Sequence, residues 1–373
     1  MILLSILFYC YIICILALII GFTKVKEFKR TKNTNKTPFT VIIPFRNEAK
    51  NLPSLLDSIS KLTYSIELVE FIFVDDDSED NSIEIINNHL ELGQQDIQIL
   101  TNNRSSNSPK KDAILTAIGE AKHNWIITTD ADCILPEKWL KTIDNYIQQN
   151  NCNMIVAPVS YKCNSTFIHQ FQELDFMSLQ ATTIGSFGLG VPFLSNGANF
   201  MYRKDIFEKV NGFEGNNSIA SGDDIFLLEK FVKFYKEKVQ YLKSKDVIVK
   251  TFPVNSYSEL INQRVRWASK TTNYNLIMGK LFGLFVFSGN CIIAIAPFLI
   301  ILNLIPIKTF ISFFLLKLFF DYLLIEKMAI FDKKKINFTT YFKSSVLYPY
   351  FTVLIFIKSI FSKYQWKNRT FKK

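Results

Sequence analysis

Acidic residues stand in pairs or runs at three places in this chain, each next to an apolar run. They are Asp75-Asp76-Asp77, Asp130-Ala131-Asp132 and Asp223-Asp224. Carboxylate oxygens are the ligands that hard divalent cations take, often together with the phosphates of a substrate. A carboxylate near a hydroxyl can instead receive its proton as a general base. These residue types therefore predict a site that holds a cation and a phosphorylated substrate.

A basic and aromatic segment, Gln263-Arg264-Val265-Arg266-Trp267, follows the last acidic pair. On a helix, positions i, i+3 and i+4 share one face, so Gln263, Arg266 and Trp267 lie together. Arg266 can stabilise a departing diphosphate, and Trp267 offers a flat ring to an acceptor. Arg264 points away from that face and is expected to meet lipid headgroups. The alternative for Trp267 is an anchor at the membrane interface, because apolar segments follow it.

Alternating strand and helix patterns must position these residues. Strands are predicted at 39–45, 69–75, 97–100 and 124–130, and helices at 48–61, 82–92 and 112–121. This alternation predicts an α/β fold with a mainly parallel sheet and helices on both faces. Sites in such sheets open at the carboxyl ends of the strands, where Asp75 and Asp130 fall. Beyond residue 160 the pattern weakens.

Long apolar segments flank this domain. Residues 1–22 contain no charged side chain and are long enough to cross a bilayer. We interpret them as an uncleaved anchor; a cleaved signal peptide is the alternative, although a basic first region and an A-x-A-like site are missing. The predicted segments are an N-terminal transmembrane anchor at 1–22, a cytoplasmic domain at 38–275, C-terminal transmembrane or interfacial helices at 281–361 and a basic tail at 362–373.

The C-terminal segment contains apolar stretches at 281–305, 309–325 and 345–361. The second includes Lys317 and Asp321, which are expected to pair or to face protein because charges are expensive in lipid. The third includes Pro349 and is predicted to be tilted, kinked or interfacial. Three crossings would leave the basic tail outside, against the positive-inside rule, so an even number of crossings after the domain is favoured.

The net charge of +10 is unevenly distributed. Residues 1–37 carry six basic and one acidic side chains, residues 306–373 carry thirteen and three, and the part between them has a net charge of −5. This distribution is typical of membrane flanks on the cytoplasmic side. It argues against nucleic-acid binding, which needs a basic patch on the folded domain. The six cysteines have no paired spacing, so neither a disulfide framework nor a zinc site is expected.

Seven stretches in a fixed order carry a resemblance to a known family. They are VIIPFRNEAKNL (41–52), FIFVDDDSEDNS (71–82), PKKDAILTAI (109–118), ITTDADC (127–133), SNGANFMYRKDIFEKVNGF (195–213), SGDDIFLLEKF (221–231) and QRVRW (263–267). The chain resembles a membrane-associated family 2 glycosyltransferase of the GT-A fold, the nucleotide-diphospho-sugar transferase fold, with its D-x-D and Q-x-x-R-W motifs. A lone D-x-D often arises by chance, whereas the complete ordered set is specific.

The resemblance implies a nucleotide-sugar site and a metal, Mg²⁺ or Mn²⁺. Asp132 would ligate the metal directly, while Asp130 would contact the ribose or the waters of the metal. The residues implied for the nucleotide sugar are Pro44, Asn47, Glu48, Asp75, Asp76, Lys110 and Asp130. Asp77 stands where the family commonly has glycine, so the local turn is expected to differ. The alternatives are a solvated turn for the D-x-D and ordinary surface charge for Glu48 and Lys110.

By the same resemblance, Asp224 is the general base that takes the proton of the acceptor hydroxyl. Asp223 would hold the loop or raise the pKa of Asp224 by like-charge repulsion. The alternative is a helix N-cap formed with Ser221, and a cap and a base are compatible roles. The acceptor and the diphosphate are assigned to Asp223, Gln263, Arg266 and Trp267.

These assignments predict an inverting transfer of a sugar from a nucleotide sugar to a hydroxyl of a lipid or glycan at the cytoplasmic membrane face. A carboxylate at Asp75 or Asp76 can accept the N3–H of uracil, which favours a UDP-sugar. A processive polysaccharide synthase is the alternative, although three apolar stretches leave little room for a channel. A non-catalytic scaffold would have degenerate acids, and a transporter would place most of its mass in the bilayer.

Overall fold

The computed structural model describes residues 1–31, 36–92, 95–215, 222–270, 274–361, 364–366 and 369–371. Within them the helices are α1 (Ile2–Lys24), α2 (Leu52–Ser60), α3 (Ser82–Leu92), α4 (Pro109–Glu120), α5 (Trp139–Gln149), α6 (Phe167–Gly188), α7 (Lys204–Lys209), α8 (Asp223–Tyr235), α9 (Tyr257–Ala268), α10 (Ile277–Ile301), α11 (Ile307–Phe331) and α12 (Phe338–Phe361). The strands are β1 (Phe39–Phe45), β2 (Val69–Asp75), β3 (Asp96–Thr101), β4 (Trp125–Thr128), β5 (Met154–Val156), β6 (Val159–Tyr161), β7 (Phe200–Arg203), β8 (Val239–Tyr241), β9 (Val249–Thr251), β10 (Tyr364–Trp366) and β11 (Arg369–Phe371). Of the basic tail predicted at 362–373, the described part is the backbone of the β10–β11 pair.

Seven strands form the central sheet in the order β3-β2-β1-β4-β7-β5-β8. In this sheet β7 runs antiparallel to its neighbours β4 and β5, and the other pairings are parallel. The mainly parallel α/β sheet predicted from the sequence is therefore confirmed. Strand β2 is buried along its whole length. Strands covered on both faces read as continuous apolar runs, which explains why β1 and β2 were visible in the sequence.

Helices cover both faces of the sheet, because alternate residues of a strand enter different cores. Val41 and Ile43 of β1 join side chains of α2 and α5 in one core. Ile42 lies on the opposite face, in a core with side chains of α4. The carboxyl ends of β1, β2 and β4 meet at one edge of this covered sheet, and acidic motifs lie at the ends of β2 and β4.

Two element ends differ from the prediction near the acidic motifs. Strand β4 ends at Thr128, so Asp130 lies beyond the strand and not at its last position. Helix α4 begins at Pro109, earlier than the predicted start at 112, because proline suits the first helical turn. Lys110 therefore lies inside the first turn of α4.

Three helices of the described chain, α1, α10 and α12, are long and apolar enough to cross a membrane. Helix α1 is closely joined to the domain through α6. A Cβ at Gly185 would lie 2.6 Å from the Leu18 carbonyl oxygen, and one at Gly188 would lie 1.8 Å from that of Gly21. The two helices therefore meet backbone to backbone at these glycines. Side chains of α1 and of the domain share one hydrophobic core.

The charged pair expected in the second C-terminal stretch is present in α11. Lys317 Nζ lies 2.5 Å from Asp321 Oδ2 and 3.1 Å from the hydroxyl oxygen of Tyr11 on α1. The Tyr11 hydroxyl also donates to Asp321. Helix α12 carries Pro349 in its interior and packs against α6 and α9. The number of crossings after the domain stays a prediction.

Replacing Lys317 with leucine should destabilise the fold, because Asp321 would remain between packed helices without its cation. Removing one partner of a buried ion pair costs about 3–5 kcal/mol, whereas replacing both by apolar residues is often close to neutral. We expect a lower unfolding temperature in detergent for Lys317→Leu, and a recovery in the Lys317→Leu/Asp321→Leu double variant. Lys308→Leu, at an exposed position of the same helix, is the matched control. A Lys317→Leu protein as stable as the wild type would contradict the role of this pair.

Candidate active site

The acidic loop after β2 is held by an arginine that follows β1. Arg46 is 7% exposed, and its Nη1 donates to the Asp76 carbonyl oxygen at 2.7 Å. The same guanidinium reaches the carboxylates of Asp77 at 3.2 Å and Glu79 at 2.8 Å. Its positive charge therefore fixes the path of the loop. Arg46 was not among the predicted site residues, although its place directly after a strand was a signal.

Asp75 and Asp76 are buried acceptors within this loop. The Asp75 carboxylate accepts the Ser78 N–H at 3.1 Å. Asp76 Oδ1 accepts from Arg104 Nε at 2.6 Å and from Asn102 Nδ2 at 2.7 Å. Arg104 and Asn102 follow β3, so the segments after three neighbouring strands build one cluster. The sequence patterns predicted neither of these two partners.

Asp77 occupies the turn that was expected to differ from the family. Its φ is +67°, in the left-handed region that glycine adopts freely. Its side chain is 75% exposed. The position thus has a backbone conformation that suits glycine, and a difference of this turn from the family stays a prediction.

Asn47 and Glu48 tie the end of β1 to the same loop. The Asn47 N–H donates to Ser78 Oγ at 3.0 Å. Glu48 is 8% exposed, and its Oε2 accepts from Asn51 Nδ2 at 2.6 Å, so it is not an ordinary surface charge. Pro44, the remaining predicted residue of this segment, lies next to the last position of β1.

A second cluster brings Asp130, Asp223 and Asp224 together around Lys110. Lys110 Nζ lies 2.6 Å from Asp130 Oδ1 and 3.7 Å from Asp223 Oδ2. Asp224 Oδ2 accepts the Gly197 N–H at 3.1 Å. A Cβ at Gly197 would lie 3.1 Å from Asp223 Oδ2 and 3.3 Å from Lys110 Nζ, so glycine leaves room for this close packing. Four separate segments thus meet at one edge of the sheet, and Lys110 is not an ordinary surface charge.

Asn102 joins the two clusters. Its Nδ2 donates to Asp76 Oδ1 at 2.7 Å and to the Pro109 carbonyl oxygen at 3.0 Å. Lys110 follows Pro109 directly in the first turn of α4. The acidic loop and the cluster around Lys110 are therefore neighbouring parts of one site.

Burial and charge move the pKa values of the two adjacent acids of α8 in opposite directions. Burial raises the pKa of Asp224; Lys270 opposes this, and Asp223 reinforces it. Burial acts in the same sense on Asp223, but three nearby lysines hold its pKa below the usual value. These are Lys110, Lys270 and Lys111. Acids separated in this way suit different roles, since one stays ionised while the other can take up a proton.

The pKa values of the lysines in this cluster also shift in different directions. Burial tends to lower the pKa of Lys110, but the carboxylates of Asp130 and Asp223 outweigh it and raise that pKa. Burial lowers the pKa of Lys111 to about 8 and also lowers the pKa of Lys270. Of these three lysines, Lys110 is therefore the one whose charged form the site favours most. Lys111 and Lys270 were not among the predicted site residues.

The D-x-D supplies two carboxylates, from Asp130 and Asp132, and not a closed metal site. Among the described residues no group of three or more histidine, cysteine, aspartate or glutamate side chains could hold a metal ion. Two carboxylates suit a cation that keeps water and completes its shell with substrate phosphates, as Mg²⁺ does. Lys110 Nζ lies 2.6 Å from Asp130 Oδ1, so this carboxylate already faces one positive charge before a metal binds. The donor set therefore fits Mg²⁺ or Mn²⁺ bound together with a phosphorylated substrate.

The acids of α8 lie in its first turn and do not precede it. Helix α8 begins at Asp223, and Gly222 before it has φ +81°. Asp224 Oδ1 accepts the Ile225 N–H at 2.8 Å, so the carboxylate also serves the helix start. Ser221, the residue expected to complete an N-cap, lies outside the described residues. Negative charge is favourable at a helix N-terminus, which stabilises both carboxylates.

The basic and aromatic segment lies on α9, but Arg264 faces the protein interior. It is 6% exposed, and its Nε donates to Asp175 Oδ2 at 2.7 Å. The expectation that Arg264 meets lipid headgroups is wrong, because a buried carboxylate on α6 pairs with it. Arg264 Nη1 donates to Gln263 Oε1, and the guanidinium carbon lies 4.2 Å from the centroid of the Trp267 ring.

The rest of this segment borders the domain core and the second cluster. The Trp267 ring lies 6.4 Å from that of Phe176, so protein surrounds it on two sides. A Cβ at Gly222, directly before α8, would lie 3.2 Å from Lys270 Cδ, and Lys270 lowers the pKa of Asp224. The end of α9 therefore approaches the acids of α8.

Comparison with known proteins identifies the family of the central domain. Residues 40–210 match the model of Glycosyl transferase family 2. A probable glycosyltransferase of Sulfolobus acidocaldarius is 25% identical over 234 residues, covering 56% of this chain and 50% of that protein. Glycosyltransferase AglE of Haloferax volcanii is 22% identical over 236 residues, covering 62% of this chain and 73% of AglE. The match thus spans half the length of the first of these relatives.

A solved structure of similar size shares the fold. The mannosyltransferase PcManGT of Pyrobaculum calidifontis, in complex with GDP-Man and Mn²⁺, has 14% sequence identity and a TM-score of 0.54 over 96% of this chain and 99% of that one. At this identity the likeness shows the fold alone. The family match agrees with the ordered motifs and with the seven-stranded sheet. The domain at residues 40–210 thus matches glycosyl transferase family 2, and the chain has the GT-A fold.

Proposed function

We propose that this protein is an inverting glycosyltransferase that moves a sugar from a UDP-sugar to a hydroxyl of a lipid or glycan at the cytoplasmic membrane face. The observation that carries the proposal is the cluster around Lys110, where the D-x-D meets the acids of α8. The family match ends at residue 210, so the α8 acids and α9 are assigned by their geometry. Sugar transfer needs a donor site, a cation and a base in one place, and this cluster offers a candidate for each.

The donor nucleotide is assigned to the loops after β1, β2 and β3. Buried carboxylates at Asp75 and Asp76 can accept N–H groups of the base, and they already accept hydrogen bonds within the protein. Arg46 and Arg104 hold the loop that carries them. A loop fixed in this way binds a nucleotide without first losing conformational freedom.

The diphosphate is assigned to the positive charges of Lys110 and Arg266. Mg²⁺ or Mn²⁺ held by Asp132 and Asp130 would neutralise negative charge on the phosphates. Lys110 lies beside Asp130 before any substrate binds, and Lys270, four residues after Arg266, lies against Gly222 at the start of α8. Charges placed before the reaction stabilise the departing diphosphate without further rearrangement.

Asp224 is assigned as the general base. In a single displacement the acceptor oxygen bonds to the anomeric carbon, the bond to the diphosphate breaks, and the hydroxyl proton passes to the Asp224 carboxylate. Burial and Asp223 raise the pKa of Asp224, which brings it closer to the working pH of a base. Asp223 stays ionised and holds Lys110 close to the site.

The acceptor is assigned to the membrane side of the site. Gln263 and Trp267 precede the candidate spans α10 and α12, and basic side chains flank the apolar segments. This charge pattern supports a cytoplasmic domain under the positive-inside rule. Helix α1 packs directly on α6, α10 and α11, which supports single transfer to an acceptor over passage of a growing polymer.

Asp224→Asn should reduce transfer by at least about a hundredfold, because the amide cannot receive the acceptor proton. Donor binding, measured by calorimetry with the metal present, should be unchanged. The measurement is sugar transfer by detergent-purified protein, with the product length recorded. Asp57→Asn, at an exposed position of α2, is the matched control. Full activity of Asp224→Asn would remove this residue from the role of base, and long polymeric products would favour the processive alternative.

The acid limb of the pH–rate profile should shift in opposite directions when the neighbours of Asp224 are changed. A general base works when it is ionised, so kcat falls as the pH drops through its pKa. Lys270→Met removes a charge that lowers this pKa and should move the limb to higher pH; Asp223→Asn removes a charge that raises it and should move the limb to lower pH. Shifts of about half a unit to one unit are expected. Lys280→Met is the exposed control, and unmoved limbs in both variants would contradict the assignment.

Turnover should depend on a divalent metal and on Asp132. With a panel of UDP- and GDP-sugars, we expect one donor to be turned over with Mn²⁺ or Mg²⁺ and activity to be lost in EDTA. Asp132→Ala should lose the metal-dependent turnover, because one of the two carboxylates offered to the cation is gone. Asp57→Ala controls for loss of charge alone. Activity that survives both EDTA and Asp132→Ala would contradict the metal site.

A further inference from the structure

Arg264 is the member of the α9 segment that the proposed transfer does not use. We propose that Arg264, held by Asp175 of α6 and Tyr348 of α12, is a positioning residue that sets Gln263 and Trp267 for the acceptor. This inference rests on the proposed function, since it names what places the acceptor side of that site. It makes helix α12 part of the machinery that shapes acceptor binding.

The ion pair at the centre of this arrangement is fully enclosed. Arg264 and Asp175 are each 6% exposed, and the Arg264 Nε lies 2.7 Å from Asp175 Oδ2. The other carboxylate oxygen, Oδ1, accepts the Tyr348 hydroxyl at 2.8 Å. Both oxygens of Asp175 are thus engaged, so the carboxylate cannot turn without losing a hydrogen bond. The arginine is held in one orientation as a result.

Two further contacts of the guanidinium go to residues assigned to the acceptor. Arg264 Nη1 donates to Gln263 Oε1. The guanidinium carbon lies 4.2 Å from the centroid of the Trp267 ring, a distance at which a cation attracts the face of an aromatic ring. Phe176 packs against the same ring at 6.4 Å between centroids. Arg264 therefore restrains two of the three residues on the predicted acceptor face.

The arrangement links this face to the membrane-associated part of the chain. Tyr348 belongs to α12, one of the candidate spans. Val265, next to Arg264, packs in a small cluster with Ile355 and Phe351 of the same helix. An apolar contact thus joins α12 to α9 directly, and the Tyr348 hydrogen bond joins α12 to Asp175 of α6, which pairs with Arg264. A shift of α12 would reach Trp267 through Tyr348, Asp175 and Arg264.

Lysine cannot replace Arg264 in this arrangement. A guanidinium is planar and presents several donors at fixed angles, whereas an ammonium is a point charge on a flexible stem. Arg264→Lys keeps the charge against Asp175 but loses the simultaneous contacts to Gln263 and to the ring of Trp267. Tyr348→Phe is milder, because it removes one hydroxyl from the opposite end of the same chain of contacts.

The experiment compares Arg264→Lys, Asp175→Asn and Tyr348→Phe in lipid nanodiscs, with octyl glucoside as a lipid-linked hydroxyl acceptor. Tyr350→Phe, at a position of α12 that is 48% exposed, is the matched control. We expect the dissociation constant of the nucleotide sugar to stay within about twofold. The acceptor KM should rise, or kcat fall, by about tenfold in Arg264→Lys and Asp175→Asn and by roughly threefold in Tyr348→Phe, since hydrogen bonds to charged groups are the strong ones.

A second readout needs no turnover. The emission of Trp267, obtained by subtracting the spectrum of the matching Trp267→Phe protein, should change in all three variants and not in Tyr350→Phe. The emission reports the surroundings of the Trp267 ring directly, so it tests the positioning even if the wild type transfers no sugar. A lack of transfer by the wild type would count against the proposed function alone. Unchanged emission would overturn the inference. The inference would also be overturned if the variants gave less folded protein but kept the KM and kcat of the wild type per folded molecule.

Discussion

Lys110 lies between carboxylates from distant parts of the chain, and the candidate site depends on this contact. Its Nζ approaches Asp130 to 2.6 Å and Asp223 to 3.7 Å. Without a cation here, the D-x-D and the acids of α8 would repel one another at a partly buried edge, where charge is poorly screened. Lys110 thus allows the carboxylates assigned to the metal, Asp130 and Asp132, to lie in one site with Asp224, the carboxylate assigned to accept a proton. It also keeps Asp223 ionised, and this charge in turn raises the pKa of Asp224.

Compensated charge also fixes other joints of the molecule. Arg46 holds the acidic loop after β2, and Arg264 on α9 pairs with Asp175 on α6. Within α11, Lys317 pairs with Asp321, and both side chains contact Tyr11 of α1. Each cation is largely buried, so losing its partner would leave a charge with little access to water. Such pairs add little net stability compared with apolar packing, but they tolerate few alternative arrangements. They therefore define how the loops and helices around the site are placed.

The domain and the apolar helices form one packed unit. Helix α1 meets α6 backbone to backbone at Gly185 and Gly188. Lys243, which follows β8, donates from Nζ to the carbonyl oxygens of Phe22 and Val25 at 3.0 Å each. The last carbonyl groups of a helix lack partners within that helix, and here Lys243 of the domain donates hydrogen bonds to them. Direct contacts therefore set the position of the domain relative to α1.

The sequence by itself determined the strands buried on both faces and the acids that follow them. Strands β1 and β2 were predicted at 39–45 and 69–75 and are found there, because a strand covered on both faces must be a continuous apolar run. The partners Arg46, Arg104 and Lys270 were missed, since a single charged residue carries no sign of which distant group it will meet. Helical spacing set Arg264 apart from the face of Gln263, Arg266 and Trp267, yet its guanidinium contacts both Gln263 and the Trp267 ring. Whether the Arg264 side of α9 met lipid or protein was decided by the tertiary structure alone, because Asp175 lies 89 residues away in sequence and α12 packs against both α6 and α9.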